Sequence, residues 1–320
     1  MDISTNIAGV ILENPIYNAS GCLCVTKEEL DELMKSNSGA VISKSSTVNC
    51  RSGNLMPRFN WDNYGSINSM GVPNFGFNYY LDYGMETYHK KYIQSIIPLS
   101  DKDLILMLST IKNRIENSNK NYYIIEINLS CPNLDNKSII AYDFKAFEKY
   151  LKIINKYKSF KLILGLKLPP YYLQDDFDKI SDIIKKYNCI KFITCINSVI
   201  NGLLIDWKNE TTLIHPKDGL GGIGGIYCKP TALANVYNFY KRLGTNNEIS
   251  IIGCGGITNG IDAFEMILCG ASAVQIGTQL IKKGVECFKD INDELISIMK
   301  KKKYNKISDF KGKIKLAEHL

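Results

Sequence analysis

Residues 128–133, with the sequence NLSCPN, combine groups that can perform acid–base chemistry. Asn128 and Asn133 lie on either side of Cys131, and amide side chains can bind a carboxylate or an imide. A cysteine has a reference pKa of about 8.5, so nearby lysines would give a thiolate at neutral pH that can act as a general base. Composition alone favours the other interpretation, in which Cys131 is one of ten small buried apolar residues.

Two lysines directly follow apolar runs and are candidates for binding an anion. Lys44 comes after AVIS, and Lys167 comes after LILGL. Two fixed cations would suit an anionic cofactor and an anionic substrate. A flavin needs a positive group near its N1 and O2 atoms, where negative charge accumulates on reduction, and a lysine can supply it. The alternative is a Schiff-base lysine, as in aldolases.

Three glycine clusters indicate a phosphate site. They are residues 253–256 (GCGG), Gly277 followed by Thr278, and residues 219–225. Glycine lets backbone N–H groups approach a phosphate closely. The alternative is that these glycines only form tight turns.

Short apolar runs alternate with helical segments along the chain and predict a parallel α/β fold. Eight such runs can close a barrel, so we predict one (β/α)8 TIM barrel over residues 1–320. An open doubly wound sheet is disfavoured, because residues 18–21 (NASG) after the first strand carry no dinucleotide-binding fingerprint. The predicted strands are residues 16–18, 40–44, 104–109, 123–128, 162–167, 192–197, 249–253 and 273–276.

Helical spacing of apolar residues marks two of the intervening segments. The shared faces are Phe144, Phe147, Leu151 and Ile154 in one and Phe177, Ile180, Ile184 and Tyr187 in the other. Pro230 is expected in the first turn of a later helix, with Gly244 as its stop.

Polar residues at the strand ends would converge on one mouth, where barrel enzymes carry their chemistry. A polar side chain that is buried without a hydrogen-bond partner destabilises the fold. Several such side chains at one place therefore imply a ligand that forms hydrogen bonds with them. They are Ser20, Gly21, Lys44, Ser45, Asn128, Lys167, Asn197, Ser198, Gly255, Gly256, Gly277 and Thr278.

Composition excludes several other classes of protein. The net charge of +7 comes from scattered lysines, and the run from Lys300 to Lys303 is interpreted as a solvated helix end rather than a nucleic-acid site. There is no run of about 20 apolar residues and no secretory leader pattern, so we expect a cytoplasmic protein without membrane contact. Ten dispersed cysteines predict free thiols, and three scattered histidines predict no metal site.

With these segments in view, the sequence resembles dihydroorotate dehydrogenases, FMN enzymes of pyrimidine biosynthesis, and within them the soluble, fumarate-using class 1A. The resemblance covers nearly the whole chain, and GSINSMG at residues 65–71 is particularly characteristic. The other matching blocks are residues 18–21, 43–45, 51–58, 128–133, 165–170, 221–236, 253–256 and 268–278.

The resemblance implies a role for each matching residue. FMN would be held at the mouth by Ala19, Ser20, Lys44, Ser45, Asn128, Lys167, Ile196, Gly225, Gly255, Gly256, Gly277 and Thr278. The substrate would contact Lys44, Asn68, Met70, Gly71, Val72, Asn128, Asn133, Asn197 and Ser198. Cys131 would abstract the C5 proton of dihydroorotate while the C6 hydride passes to flavin N5. Fumarate would then be reduced to succinate in the same site, in a ping-pong cycle, and similar enzymes are homodimers.

Some positions depart from the family pattern, and other functions stay open. Val72 replaces a more usual leucine, Cys195 and Ile196 replace simpler neighbours, and Lys137 lies in unfamiliar surroundings. The membrane-attached class uses a serine base and is disfavoured by Cys131. The first alternative is the NAD-linked class 1B, which also uses a cysteine but needs an iron–sulfur flavoprotein partner. A non-catalytic phosphate-binding barrel, or a sugar-phosphate isomerase or aldolase, would also fit parts of the pattern.

Overall fold

The computed structural model describes residues 1–87, 89–130, 139–246 and 249–317. Its strands, numbered in chain order, are β1 (Thr5–Ile7), β2 (Val10–Leu12), β3 (Ile16–Asn18), β4 (Ala40–Ile42), β5 (Phe59–Trp61), β6 (Gly65–Asn68), β7 (Lys91–Ile96), β8 (Tyr123–Asn128), β9 (Leu162–Leu168), β10 (Ile190–Cys195), β11 (Val199–Gly202), β12 (Ile205–Asp206), β13 (Thr211–Thr212), β14 (Gly221–Gly225), β15 (Ser250–Cys254) and β16 (Ala273–Ile276). Its α-helices are α1 (Lys27–Lys35), α2 (Phe77–Glu86), α3 (Asp101–Glu116), α4 (Phe144–Lys156), α5 (Gln174–Tyr187), α6 (Lys229–Phe239), α7 (Gly260–Leu268), α8 (Thr278–Lys283) and α9 (Glu286–Lys302).

Eight parallel strands close a barrel. In chain order they are β3, β4, β7, β8, β9, β10, β15 and β16, and each pairs with the next. The ring closes where β16 pairs with β3, with Gln275 opposite Tyr17. An α-helix follows each barrel strand before the next barrel strand begins, and α8 follows β16, the last strand of the ring. The (β/α)8 barrel predicted from the sequence is therefore confirmed.

Local signals in the sequence explain where the helices begin and which face they bury. Thr26 and Glu29 form a capping box at the start of α1, which satisfies backbone N–H groups that the helix itself leaves free. The predicted apolar faces of α4 and α5 are confirmed, since Phe147 and Phe177 are fully buried. Pro230 lies in the first turn of α6 as predicted, and one π-turn extends that helix to Gly244.

One predicted strand is wrong. Residues 104–109 lie inside helix α3, and the third barrel strand is β7, Lys91–Ile96. Ser100 caps α3 by accepting from the backbone N–H of Asp103, and the buried positions from Leu104 to Ile115 follow helical spacing. A short apolar run does not distinguish a helix from a strand. The true strand, KYIQSI, was missed because its polar Gln94 and Ser95 are buried there.

The amino-terminal end of the barrel is filled by a hairpin. Strands β1 and β2 pair in antiparallel fashion, and Ile7, Val10 and Leu12 pack against barrel residues that include Tyr17 and Ile42. Because this end is occupied by apolar side chains, the space for a ligand lies at the opposite end, where the strands terminate.

Two insertions build a second sheet over that opposite end. Strands β5 and β6 follow β4, while β11 and β14 follow β10, and they pair in the order β11-β14-β6-β5. We call this four-stranded sheet the mouth sheet. It brings Asn68 of β6 opposite Gly222 of β14 and places both segments beside the ends of the barrel strands.

The lysine run near the carboxyl terminus has the structure expected of it. Lys300 to Lys302 form the exposed last turn of α9, and Lys303 ends the helix in a left-handed conformation. A cationic last turn complements the negative end of the helix dipole. Within the described ranges, no helix is both long enough and apolar enough to cross a membrane.

The assignment of residues 104–109 to a helix can be tested with two alanine variants. In a strand, Leu106 and Leu108 would point to the same side. In α3, Leu108 is fully buried whereas Leu106 is 48% exposed. We expect Leu108→Ala to lower the free energy of unfolding in urea by about 2–5 kcal/mol and Leu106→Ala to change it by less than about 1 kcal/mol. Equal losses would contradict the helix.

Candidate active site

The strand ends, the adjoining loops and the mouth sheet enclose a cavity of about 510 Å³. Residues that are far apart in sequence meet there, as the strand-end argument predicted. The sequence-predicted site residues that line the cavity are Ala19, Ser20, Lys44, Ser45, Asn68, Met70, Val72, Asn128, Lys167, Ile196, Asn197, Ser198, Gly225, Gly255, Gly256, Gly277 and Thr278.

Three other predicted site residues do not appear in this lining. Cys131 and Asn133 lie outside the described residues, as does Lys137. Gly71 lies between two lining residues and has a φ of +69°. A Cβ atom there would come within 2.1 Å of Asn54 Oδ1, so glycine is required for the loop to pack.

Val72, which departs from the family pattern, has an unusual backbone. It is buried and lines the cavity, and its φ of +57° is strained for a β-branched residue. Backbone strain of this kind concentrates at ligand sites, where the surrounding structure enforces it.

The two predicted cations are both buried at the mouth. Lys44 is only 8% exposed, and it lies two residues after the end of β4. Gly21, with a φ of +113°, faces it: a Cβ atom at residue 21 would lie 3.1 Å from Lys44 Nζ. A glycine therefore leaves the space that the ammonium group occupies.

A chain of hydroxyl and amide groups crosses the mouth. Ser20 Oγ shares a 3.0 Å hydrogen bond with Ser45 Oγ, which accepts from Asn128 Nδ2 at 3.2 Å. Asn128 Oδ1 in turn accepts from the backbone N–H and the Oγ of Ser130, and Asn197 Nδ2 donates to Ser130 Oγ at 2.8 Å. The chain fixes the orientation of both carboxamides and holds the residue that directly precedes Cys131.

The mouth sheet contributes a third carboxamide. Asn68 Nδ2 donates to Ser198 Oγ at 3.3 Å and to the backbone carbonyl of Gly222 at 3.1 Å. Ser198 is positioned by its neighbour, because its backbone N–H donates to Asn197 Oδ1. Three amides from different elements thus face one cavity, which suits a planar ligand with several donors and acceptors.

Lys167 lies deeper, at the floor of the cavity. Its Nζ donates to Gln275 Oε1 at 2.7 Å. Burial alone would lower the pKa of Lys167, but Cys254 and Glu126 outweigh burial and raise that pKa above its ordinary value. The side chain is therefore an ammonium at neutral pH. A Schiff-base lysine needs a lowered pKa, so this charged environment, together with the hydrogen bond to Gln275, disfavours the aldolase alternative.

Glu126 and Gln275 also line the cavity, and sequence reasoning missed both. The signal was present, since a glutamate stands in the middle of the apolar strand YIIEIN and a glutamine in AVQI. Alternation of side chains along a barrel strand sends such residues inward.

Glycines bring three backbone segments close together on one side of the cavity. Gly256 has a φ of +75°, and a Cβ atom there would lie 2.4 Å from Lys229 Cβ. At Gly225, also with a φ of +75°, the corresponding distance to Gly65 Cα is 2.5 Å. Gly225, Gly255 and Gly256 line the cavity, and the backbone N–H groups of such glycine segments are suited to a phosphate group.

Two cysteines that line the cavity, Cys22 and Cys228, are not suited to act as bases. Burial raises the pKa of each thiol to about 12. Both are therefore protonated at neutral pH and behave as small apolar residues.

The need for close backbone approach at Gly256 can be separated from the need for a positive φ. Gly284 has a similar φ of +68°, but nothing lies within 4 Å of a Cβ atom built on it. We expect Gly284→Ala to cost about 1–2 kcal/mol of unfolding free energy from backbone strain alone. Gly256→Ala should cost clearly more because of the clash with Lys229. Equal losses in urea denaturation would show that the contact is unimportant.

The family model described as "Dihydroorotate dehydrogenase" matches residues 2–299. The chain is 48% identical over 318 residues to dihydroorotate dehydrogenase A (fumarate) of Lactococcus lactis subsp. lactis, covering 98% of this chain and 99% of that protein. It is 47% identical to dihydroorotate dehydrogenase (fumarate) of Kluyveromyces lactis, covering 98% of each.

A solved structure shares the fold at much lower identity. The crystal structure of the Eimeria tenella dihydroorotate dehydrogenase in complex with ferulenol superposes with a TM-score of 0.78 at 20% identity, over 97% of this chain and 88% of that one. That likeness concerns the fold alone. Together with the family match over residues 2–299, the similarity along the whole sequence shows that the chain belongs to the dihydroorotate dehydrogenase family.

Proposed function

We propose that this protein oxidises (S)-dihydroorotate to orotate in de novo pyrimidine biosynthesis and passes the electrons to fumarate, which becomes succinate. Full-length relatives that carry the fumarate activity in their names support the reaction. The observation that carries the proposal is the mouth cavity, where two buried lysines meet the carboxamides of Asn68, Asn128 and Asn197. This arrangement complements a small planar anion.

We propose FMN as the cofactor that binds in this cavity. Lys167, whose pKa is raised, would provide a positive charge near the N1 and O2 atoms of a flavin, and the glycine segments would provide backbone N–H groups for its phosphate. The residues that would hold it are Ala19, Ser20, Lys44, Ser45, Asn128, Lys167, Ile196, Gly225, Gly255, Gly256, Gly277 and Thr278. When bound, FMN supplies a two-electron acceptor for the hydride that leaves C6 of dihydroorotate.

The amides and Lys44 would bind and orient the substrate. A carboxamide both donates and accepts hydrogen bonds, so it matches an imide ring, and the ammonium of Lys44 matches a carboxylate. Met70, Gly71 and Val72 would border the same site. The full proposed substrate set is Lys44, Asn68, Met70, Gly71, Val72, Asn128, Asn133, Asn197 and Ser198.

Cys131 is the proposed base. Its thiolate would take the C5 proton of dihydroorotate, a double bond would form between C5 and C6, and the C6 hydride would leave with its electron pair. In the second half-reaction the Cys131 thiol would return a proton to one carbon of fumarate while the hydride adds to the other. Because both substrates use one site, the cycle would be ping-pong. Ser130, which hydrogen-bonds Asn128 and Asn197 and directly precedes Cys131 in the sequence, would help to position the base.

We also propose that the whole chain is one catalytic domain and acts in the cytoplasm as a homodimer. The resemblance to class 1A enzymes supports these assignments. The exposed apolar side chains of Leu203, Ile205 and Trp207 provide a candidate surface for the second copy.

The choice of electron acceptor separates the proposal from its alternatives. Purified protein is mixed anaerobically with dihydroorotate, and separate samples then receive fumarate, NAD⁺ or a quinone, while absorbance is followed near ~450 nm, where an oxidised flavin absorbs. We expect dihydroorotate to bleach the flavin and fumarate alone to restore it within seconds. Recovery with NAD⁺, or no recovery until a partner subunit is added, would identify the NAD-linked class instead. Protein that refuses FMN would indicate a non-catalytic barrel.

The role of Cys131 makes a separate prediction. Cys131→Ala should retain FMN, because the thiol is not proposed to bind it, but flavin bleaching by dihydroorotate should slow by at least ~100-fold. Cys131→Ser should recover part of the rate only at higher pH, since a hydroxyl is a weaker acid than a thiol. The exposed Cys50, changed to alanine, is the matched control.

Stopped-flow absorbance measures all three variants. Unchanged bleaching in Cys131→Ala would remove the residue from the mechanism. A loss of equal size in Cys50→Ala would show that the effect is not specific to the base.

A further inference from the structure

Five buried polar side chains form a connected cluster at the floor of the cavity. Tyr17, Glu126, Lys167, Thr194 and Gln275 come from β3, β8, β9, β10 and β16, and none of them is more than 6% exposed. We call them the floor cluster. Of the five, the mechanism above uses Lys167 alone, although Glu126 is an acid in the centre of a barrel.

Gln275 joins the two charged members of the cluster. Its Oε1 accepts from Lys167 Nζ at 2.7 Å, and its Nε2 donates to Glu126 Oε2 at 2.9 Å. The orientation of the amide is fixed, because an ammonium can only donate and a carboxylate can only accept. One amide group therefore couples a buried cation to a buried anion.

The environment of Glu126 is polar on one side only. Thr194 Oγ1 also donates to Glu126 Oε2, at 2.6 Å. The other oxygen, Oε1, is buried and has no hydrogen-bond partner among the described residues. A half-satisfied buried carboxylate costs stability, and a purely structural network would satisfy both oxygens. Such a cost is expected where a charge serves the site.

We propose that Glu126 is a positioning residue that acts on the cofactor through Gln275 and Lys167. It holds the ammonium of Lys167 at one point and offsets part of its positive charge. The inference rests on the proposed binding of FMN and deepens it. Reduction of a flavin adds negative charge, which Lys167 stabilises. With Glu126 ionised, the coupled pair has no net charge, so the reduced form gains less stabilisation than it would from Lys167 alone.

This balance suits an enzyme with two successive half-reactions at one site. A site with an uncompensated cation would favour electron uptake from dihydroorotate and oppose electron release to fumarate. Electrostatic effects of this kind are large in a buried, low-dielectric environment. Glu126 therefore sets how the driving force is divided between the two steps.

The test is Glu126→Gln in the FMN-loaded protein. Glutamine keeps the shape and an oxygen that can accept from Thr194 and Gln275, but it removes the charge. The flavin midpoint potential is measured by equilibration with a redox dye and a chemical reductant. At a fixed potential we expect the ratio of reduced to oxidised flavin to rise at least ~10-fold, which corresponds to about 30 mV for two electrons.

The two half-reactions give a second readout. In Glu126→Gln, reduction of the flavin by dihydroorotate should be unchanged or faster. Reoxidation by fumarate should slow by about the same factor by which the ratio of reduced to oxidised flavin rises. A merely structural role would slow both steps and leave the potential unchanged. That result would overturn the proposal.

Two controls isolate the charge. Glu116→Gln removes the same charge from a residue on α3 at the outside of the barrel and should not shift the potential. Tyr17→Phe removes the weaker 3.4 Å contact that Gln275 Nε2 makes with Tyr17 Oη, without changing any charge, and should also leave the potential in place. A shift of equal size in either control would contradict the proposal.

A second variant keeps the proposal testable if Glu126→Gln does not fold. Gln275→Met breaks the link between Glu126 and Lys167, so Lys167 loses its anchor and the FMN dissociation constant of the apoprotein should rise at least ~10-fold. Unchanged FMN affinity would overturn the proposal. Neither this titration nor the dye measurement uses dihydroorotate or fumarate. A wrong substrate assignment would therefore show as wild-type flavin that dihydroorotate does not bleach, independently of the result for Glu126.

Discussion

The structure depends on keeping two ammonium groups buried at the mouth of a packed barrel. Removing an unpaired charge from water costs several kcal/mol, so each lysine needs specific compensation. Lys167 donates to Gln275, which links it to Glu126, whereas Lys44 occupies the space that Gly21 leaves open, and that space supplies no negative charge. The same cost favours an anionic ligand in the cavity, since such a ligand supplies the remaining negative charge.

The two ends of the barrel have different structures, one apolar and closed and the other polar and open to a ligand. The hairpin of β1 and β2 fills the amino-terminal end with apolar side chains, and the mouth sheet covers the other end with Asn68 and the glycines of β14. Beneath the cavity, Glu126 and Gln275 form a hydrogen bond across the barrel interior. The apolar part of the barrel near its amino-terminal end thereby supports the polar side chains that lie beneath the cavity.

The sequence predicted most of this arrangement because polar residues at strand ends and glycine clusters are local signals. Seven of the eight strands were found, but β7 was missed because Gln94 and Ser95 break its apolar pattern while the richer run at residues 104–109 belongs to a helix. Glu126 and Gln275 were missed for a related reason. Their importance depends on a contact across the barrel that spans 149 residues, which no local pattern reveals. Cys131 was proposed as the base from its neighbours and from the family resemblance, and because it lies outside the described residues that assignment stays a prediction.

The most direct test of the proposed site is a crystal structure of the protein grown with FMN and orotate. We expect the FMN phosphate against the backbone of Gly225, Gly255, Gly256 and Gly277. We also expect the flavin beside Lys167 and the orotate within hydrogen-bond distance of Asn68, Asn128 and Asn197. Density for the flavin outside this cavity, or for orotate away from the three amides, would contradict the proposed site.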